Sequence, residues 1–155
     1  MSERIAPVVA TGNGPRIIKG GLHTDERGTV SFVNDFDFQG VDRFYTIRFA
    51  RPGEPRGWVG HRREHKWFFI VQGHVSIAVV QPDNWREPSA GLPVQRFCLS
   101  ASEPGVLHVP AGYATGSAAL SADAILTVFS SGTIHDAGQD DYRFPTDRWP
   151  ILESN

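Results

Sequence analysis

The chain has 155 residues, of which 40% are hydrophobic, and it carries a formal net charge of −2 at neutral pH. This size predicts one globular domain with a substantial core, the charge provides no field that would attract nucleic acid or a membrane surface, and no apolar run approaches the roughly 20 residues that span a bilayer. The single cysteine, Cys98, excludes an internal disulfide and is typical of a cytoplasmic protein.

The predicted elements are short strands separated by turns. The first 15 residues are polar and rich in Gly and Pro, which predicts a flexible N-terminal arm ahead of a folded domain over residues 16–155. Alternating, β-branched and aromatic residues then predict strands over 16–19, 29–33, 42–49, 67–71, 74–80, 95–99, 106–109 and 124–129. No long stretch has a helical period, so the pattern predicts an all-β sandwich or barrel. Because Cys98 falls within a predicted strand, we expect a buried structural thiol.

One stretch, residues 57–73, combines a glycine turn, a cluster of polar side chains and a buried-strand pattern. Its polar and aromatic cluster consists of Trp58, His61, Arg62, Arg63, Glu64, His65 and Lys66. An apolar run over residues 67–71 follows directly, and polar chemistry placed against a buried strand indicates a site built on a sheet. Because side chains alternate along a strand, we expect Val59 and His61 to share a face, with Arg63 beside them if the strand continues.

Two short motifs, within residues 57–73 and at a later Pro-x-Gly, resemble those of the cupin superfamily, which implies a jelly-roll fold. In metal-binding cupins the ligands come from His-x-His, a downstream Glu and a His in the second motif. The equivalent positions of this sequence hold Val59 and His61, then Lys66, then Thr115. Because a metal site needs three or four converging ligands, we predict no metal, and we expect no cofactor.

A fuller resemblance covers roughly residues 17–150. It is to cupin enzymes that act on nucleotide-linked deoxysugars, the dTDP-4-dehydrorhamnose 3,5-epimerases and the dTDP-4-keto-6-deoxyhexose 3,4-ketoisomerases. The motifs that carry it are Asp25-Glu26-Arg27-Gly28, the strand 43–47, Arg56-Gly57, Lys66 before Gly73, residues 99–101, residues 108–114, residues 142–144 and residues 147–150. The resemblance implies a metal-free isomerase of a dTDP-linked sugar. Because related cupins exchange N-terminal strands, it also implies a homodimer.

Two positions that hold catalytic residues in these families differ in this sequence. The epimerase base corresponds to Val59, and the epimerase tyrosine acid falls within Ser130-Ser131-Gly132. Of the two ketoisomerase histidines, only the second remains, as His61. The resemblance therefore supports binding of a sugar nucleotide more strongly than it supports 3,5-epimerisation.

The remaining residues suit proton abstraction beside a ketone. That reaction requires a base with a pKa near neutral and a donor for the enolate oxygen. His61 is the candidate base, and Glu64 is a second candidate if burial raises its pKa. Tyr45 can supply a hydroxyl, and Lys66 or Arg43 can stabilise developing negative charge.

Substrate binding is assigned to cationic and aromatic side chains. Guanidinium groups form paired hydrogen bonds to phosphate, so Arg27, Arg56 and Arg62 are candidates for a diphosphate. Arg43 is a further candidate for contact with the substrate. Phe32 and Trp58 are candidates for stacking on a base or a sugar.

Three functions therefore remain open. The leading hypothesis is an isomerase or epimerase of a dTDP-linked 4-keto-6-deoxysugar, in deoxysugar, polysaccharide or natural-product glycan biosynthesis. The second is a binding protein that keeps the nucleotide-sugar pocket and has lost catalysis, which the residues at Val59 and Ser131 favour. The third is a cupin isomerase or cyclase that acts on another small carbonyl compound.

Overall fold

The computed structural model describes residues 14–153, and nearly all of its regular structure is β-strand. The strands are β1 Arg16–Lys19, β2 Gly21–Asp25, β3 Gly28–Phe32, β4 Arg43–Arg48, β5 Arg56–His61, β6 Lys66–Gln72, β7 His74–Val80, β8 Gln95–Ser100, β9 Gly105–Val109, β10 Tyr113–Ala119, β11 Ile125–Ser130 and β12 Tyr142–Arg143. One short helix, α1, covers Ile134–Ala137 and is capped by Thr133. None of the helices within residues 14–153 is long and apolar enough to cross a membrane.

The strands form two five-stranded antiparallel sheets and one separate hairpin. The first sheet has the order β1-β9-β6-β11-β4, and the second has the order β12-β5-β10-β7-β8. The hairpin pairs β2 with β3 and has mostly exposed side chains. The two large sheets pack face to face, because one cluster of buried residues draws side chains from strands of both.

Alternation along β6 explains how the first sheet meets the core. Phe68 and Ile70 point inward and are buried, whereas Trp67 and Phe69, their neighbours on the strand, face the other side. On the second sheet, β7 is buried on both faces. Its outer face is covered by the C-terminal segment, because Trp149 and Ile151 belong to a second buried cluster with residues of β5, β7 and β10.

The all-β sandwich predicted from the sequence is confirmed, and each of the eight predicted strands is present with ends shifted by at most one residue. Strands β2, β10 and β12 and the helix α1 were missed, and β5 was expected only through the alternation of Val59 and His61. β10 reads Tyr-Ala-Thr-Gly-Ser-Ala-Ala, which lacks the bulky residues that mark a strand. Small residues are required there, because a Cβ on Gly116 would lie 2.7 Å from the Ile151 side chain.

The structure does not confirm two other expectations, which concern Cys98 and the N-terminal arm. The prediction that Cys98 is buried is wrong, because β8 is an edge strand and the Cys98 side chain is exposed on it. The predicted flexible arm covers residues 1–15, of which residues 1–13 lie outside the part of the chain that the structure describes.

Candidate functional site

A cavity of about 690 Å³ lies between the two large sheets. Both sheets contribute to its lining, together with the chain around α1 and β12. The lining residues include Arg43, Tyr45, Arg56, Val59, His61, Lys66, Phe68, Leu126, Val128 and Arg143. The volume falls within the range of about 300–1,000 Å³ that is usual for small-molecule sites.

The cavity has an apolar side and a polar side. Phe68, Leu126 and Val128 belong to the buried core and supply apolar lining. The polar lining includes three arginines, Arg43 on β4, Arg56 on β5 and Arg143 on β12. Guanidinium groups from three strands suit an anionic ligand such as a diphosphate.

His61 lies at the end of β5, is 8% exposed and lines the cavity. Its Nδ1 atom lies 2.8 Å from the backbone carbonyl oxygen of Asp140. A carbonyl can only accept a hydrogen bond, so Nδ1 carries the proton and Nε2 carries the lone pair. Burial and the neighbouring charge of Lys66 lower the pKa of His61 from its usual value near 6.5. A neutral imidazole with one fixed tautomer is suited to act as a general base.

Lys66 is the centre of a buried ionic cluster close to His61. Its Nζ atom donates 2.7 Å to Ser130 Oγ and lies 3.1 Å from Glu64 Oε1. It also donates to the Tyr45 hydroxyl at 3.4 Å. Arg43 Nη2 lies 3.4 Å from the same Glu64 oxygen, so two cationic side chains share one carboxylate. This pairing holds positive charge beside the cavity, where an enolate oxygen would develop negative charge.

Asp140 is one of three site residues that sequence reasoning missed, with Ser130 and Arg143, and it connects the C-terminal part of the chain to the turn after β5. Its carboxylate accepts hydrogen bonds from three successive backbone N–H groups, those of Arg62 at 2.8 Å, Arg63 at 2.9 Å and Glu64 at 2.8 Å. The residue is 3% exposed. The strand ends at His61, so the condition under which Arg63 was expected beside Val59 and His61, a strand that continues past His61, is not met.

We predicted that the protein binds no metal, but residues 14–153 contain one cluster of side chains that could act as metal ligands. His61, Glu64 and Asp140 bring ligand atoms within 4.8 Å of one another. Each of these residues already has hydrogen-bonding or ionic partners in the protein, and Lys66 places a positive charge against Glu64. Such a donor set does not suit a divalent cation, which would compete with an ammonium group for the same carboxylate. The absence of a metal stays a prediction.

Of the predicted catalytic residues, Tyr45, His61 and Lys66 line the cavity, and Glu64 lies behind them as a partner of Lys66. Of the predicted substrate contacts, Arg43, Arg56 and Trp58 border the cavity. The Trp58 ring, however, is held in the core at 1% exposure, donates from Nε1 to the Trp149 carbonyl and packs edge-on against the Trp149 ring.

Three predicted substrate contacts lie elsewhere. Arg27 is at the tip of the β2–β3 hairpin, where it pairs with Asp25 at 2.7 Å. Phe32 is on the same hairpin and covers Gly21. The Arg62 guanidinium lies over the Trp85 ring, 5.9 Å from its centre. The structure therefore brings Arg43 and Arg56 together at the cavity, and it does not bring Arg27, Arg62 or Phe32 to it within one subunit.

Val59 and Ser131 stand at the two positions where this sequence differs from the resembling families. Val59 lines the cavity and is paired with Thr115 of β10. Ser131 accepts a hydrogen bond from the His65 backbone N–H, and its neighbour Ser130 accepts from Lys66. Neither Val59 nor Ser131 offers a group that titrates near neutral pH, so His61, which lines the same cavity as Val59, is the candidate base.

Comparison with protein-family models finds no match, and comparison with curated proteins finds none. The structure is similar to that of the QdtA 3,4-ketoisomerase of Thermoanaerobacterium thermosaccharolyticum, a double mutant solved in complex with TDP, with a TM-score of 0.65 and 20% identity over 84% of this chain and 88% of that chain. It is similar to the WlaRB TDP-quinovose 3,4-ketoisomerase of Campylobacter jejuni, with a TM-score of 0.63 and 20% identity over 86% of this chain and 95% of that chain.

The structure is also similar to those of epimerases. The Mycobacterium tuberculosis rmlC epimerase matches with a TM-score of 0.66 and 19% identity over 84% of this chain and 68% of that chain. At these identities the likeness establishes the fold. The resemblance predicted from the sequence motifs is confirmed at that level, since ketoisomerases and epimerases of nucleotide sugars both share this architecture.

Proposed function

We propose that the protein is a metal-free isomerase or epimerase of a dTDP-linked 4-keto-6-deoxysugar. The observation that carries the proposal is the state of His61, a buried imidazole whose Nδ1–H is committed to a carbonyl and whose other nitrogen is left as a base beside the cavity. The similar structures add support, because one of them, a QdtA mutant, was solved with TDP-4-keto-6-deoxyglucose. The single, exposed Cys98 suits a reducing cytoplasm.

The reaction begins with His61. Its Nε2 removes a proton from the carbon next to the sugar ketone, and the electron pair of the broken C–H bond moves onto the carbonyl oxygen to form an enolate. Lys66 and the Tyr45 hydroxyl stabilise that oxygen and can protonate it. In epimerisation, a donor on the opposite face, for which the Tyr45 hydroxyl is the candidate, protonates the same carbon as the carbonyl re-forms, and His61 keeps the proton that it removed. In ketoisomerisation, the hydroxyl on the deprotonated carbon loses its proton and its oxygen becomes the new ketone, while the former carbonyl carbon receives the proton from His61 and its oxygen becomes a hydroxyl. Glu64 keeps Lys66 in place as its ionic partner.

Binding of the nucleotide is assigned to the arginines of the cavity. Arg56 and Arg143 lie on adjacent strands, because β12 pairs with β5. A diphosphate bound between two guanidinium groups gains charge-assisted hydrogen bonds, which position the sugar in front of His61. Arg43 is the third cation, and it also faces the Tyr45 ring at 5.4 Å.

We further propose that the protein is a homodimer. The β2–β3 hairpin exposes Leu22, Val30 and Phe32, three large apolar side chains that an isolated subunit would leave in water. The outer face of the first sheet is also apolar, with Phe44 67% exposed beside Phe129. A second copy that covers these side chains would place Arg27 against a neighbouring subunit. Light scattering at micromolar concentration tests this, and a strictly monomeric protein would contradict it.

The catalytic proposal is tested with dTDP-4-keto-6-deoxyglucose in deuterated water. The wild-type protein is expected to introduce deuterium into the sugar next to the ketone, as followed by NMR. His61→Asn keeps a nitrogen donor near the Asp140 carbonyl and removes the base, so the exchange rate should fall by about 10²- to 10⁴-fold while dTDP affinity, measured by calorimetry, is retained. No exchange in the wild type, with normal binding, would contradict the catalytic proposal.

The second candidate function is a nucleotide-sugar-binding protein without catalysis. Val59 and Ser131 favour it, because they supply no acid or base at two positions that are catalytic in the resembling families. This candidate predicts equal affinity for substrate and product and no deuterium uptake by either wild type or His61→Asn. Failure to bind any thymidine diphosphate would exclude both functions and favour another small carbonyl substrate.

A further inference from the structure

Asp140 directs every polar group of its side chain and its carbonyl toward the turn that follows β5. One carboxylate oxygen accepts from the Arg62 N–H, and the other accepts from the N–H groups of Arg63 and Glu64. The carbonyl of the same residue accepts from His61 Nδ1 at 2.8 Å. Asp140 thus contacts four consecutive residues from a position 79 residues further along the chain.

We propose that Asp140 is a positioning residue that fixes both the tautomer and the location of the His61 imidazole, an inference that rests on His61 being the base of the proposed reaction. Asp140 does not line the cavity and acts through His61. A neutral imidazole exists as two tautomers, and only the one protonated on Nδ1 leaves Nε2 able to accept a proton. The alternative tautomer would place two lone pairs against each other at the Asp140 carbonyl.

The carboxylate is what holds that carbonyl in place. The carbonyl belongs to a connection between α1 and β12 that contains no strand pairing of its own, and its other backbone tether is the Asp140 N–H donating to the Ala137 carbonyl at 3.2 Å. Three charge-assisted hydrogen bonds to a buried carboxylate fix residue 140 relative to the turn. The same bonds satisfy three N–H groups that no strand pairs, so the turn, the imidazole and Glu64 move as one unit.

The charge of Asp140 has a second effect on His61. Burial and Lys66 lower the pKa of the imidazole, whereas Asp140 and Glu64 act in the opposite direction. Replacing Asp140 by a neutral residue removes one of the groups that raise this pKa. The acid limb of the pH–rate profile, where His61 must lose its proton to act as a base, should therefore move to lower pH.

The test compares Asp140→Asn with Asp140→Ala and with the control Asp147→Asn, which changes an exposed carboxylate outside the site. Asp140→Asn keeps an acceptor for part of the turn and should fold. The expected results are a kcat reduced about 100-fold with little change in KM, an acid limb at lower pH, and 15N shifts of His61 that report a mixture of tautomers. Asp140→Ala should show a larger loss, and Asp147→Asn none.

The outcomes separate this inference from the proposed function. A wild-type protein whose His61 is protonated on Nε2 overturns the inference, and so does a folded Asp140→Asn protein with the wild-type tautomer and kcat. If neither variant folds, the tautomer of His61 in the wild-type protein still tests the inference. Protonation on Nδ1 supports it, and protonation on Nε2 overturns it. If the wild type catalyses no exchange, the proposed function fails, while the 15N shifts of wild type and Asp140→Asn still decide whether Asp140 fixes the imidazole.

Discussion

The turn between β5 and β6 and the β2–β3 hairpin both carry predicted site residues, and the fold holds them in opposite ways. In the turn, the side chains of His61, Glu64 and Lys66 are buried and bonded to residues far away in the sequence. In the hairpin, the side-chain hydrogen bonds are local, as in the Arg27–Asp25 pair. A buried side chain receives its position from the whole fold, whereas an exposed one acquires a fixed position only against another surface.

The two regions should differ in how much stability is lost when an ionic partner is removed, because one is buried and the other is exposed to solvent. Removing charges from water is unfavourable, so buried ions persist only with partners, and loss of one partner is strongly destabilising. Exposed ion pairs are screened, and they contribute roughly 0–1 kcal/mol. Substitutions in the two regions should therefore separate a requirement for folding from a requirement for ligand binding.

The largest effect on stability is expected from Glu64→Gln. The variant removes the carboxylate that lies 3.1 Å from Lys66 and 3.4 Å from Arg43, and leaves two cationic side chains in a buried site. We expect the free energy of unfolding to fall by about 3 kcal/mol, measured by urea denaturation. Exchange of deuterium into the sugar should also slow, because Lys66 loses its position.

The matched control is Glu54→Gln. Glu54 pairs with Arg51 at 3.2 Å, but both side chains are largely exposed. The same chemical change there should alter the free energy of unfolding by less than about 0.5 kcal/mol. Equal effects of the two variants would mean that burial does not distinguish the pairs.

A second effect concerns pH and involves the opposite face of β6. His65 Nδ1 lies 2.9 Å from His108 Nε2, and both rings stack with Trp67. Burial, followed by the charges of His65 and Arg16, lowers the pKa of His108 to about 4. In the unfolded chain a histidine titrates near 6.5, so between these pH values the unfolded state binds the additional proton.

The free energy of unfolding should therefore decrease as the pH falls from about 6.5 to 4, and His108 should account for about 3 kcal/mol of the decrease. Denaturation of His108→Gln across this range measures the contribution, because the variant should lose less stability on acidification than the wild type. His23→Gln, on the exposed hairpin, is the control. Parallel curves for His108→Gln and the wild type would contradict the assignment.

The sequence predicted the features that rest on local pattern. Alternation predicted β4, and the structure places Arg43 and Tyr45 of that strand at the cavity, whereas Phe44 between them is 67% exposed. A histidine after a glycine turn and among charges made His61 a candidate, and the structure places it at the cavity. The order of the motifs predicted the fold shared with ketoisomerases and epimerases. Similarity to solved structures confirmed that fold.

The features that the sequence did not reveal depend on contacts between distant segments. Asp140 stands next to Asp141 in a polar stretch, and no spacing or periodicity distinguishes the buried carboxylate from the exposed one. Ser130 likewise closes an ordinary strand, although it accepts from Lys66. Arg143 lies in a stretch that the family resemblance had included, which was the one available signal. Such residues are identified only when the fold brings their partners to them.

The smallest effect on stability, and the most informative for the hairpin, is expected from Arg27→Ala. The Arg27 side chain is 84% exposed and its pair with Asp25 is accessible to water, so thermal unfolding should not change measurably, as for the control Arg51→Ala. If the hairpin reaches the cavity of a second subunit, dTDP affinity should nevertheless fall about tenfold. Affinity equal to that of the wild type would exclude Arg27 from the ligand site.

Mixing two impaired proteins makes this prediction sharper, because a residue supplied by the neighbouring subunit can be complemented. In a mixed dimer of Arg27→Ala and His61→Asn subunits, one cavity combines the intact His61 of the first with the intact Arg27 of the second. Deuterium exchange at low substrate concentration should then exceed the sum of the two parent proteins, up to about one quarter of wild type after random reassortment. If Arg27 instead acts within its own subunit, each cavity of the mixed dimer retains one defect and the rates remain additive, which would leave the exposed hairpin without a role in the neighbouring site.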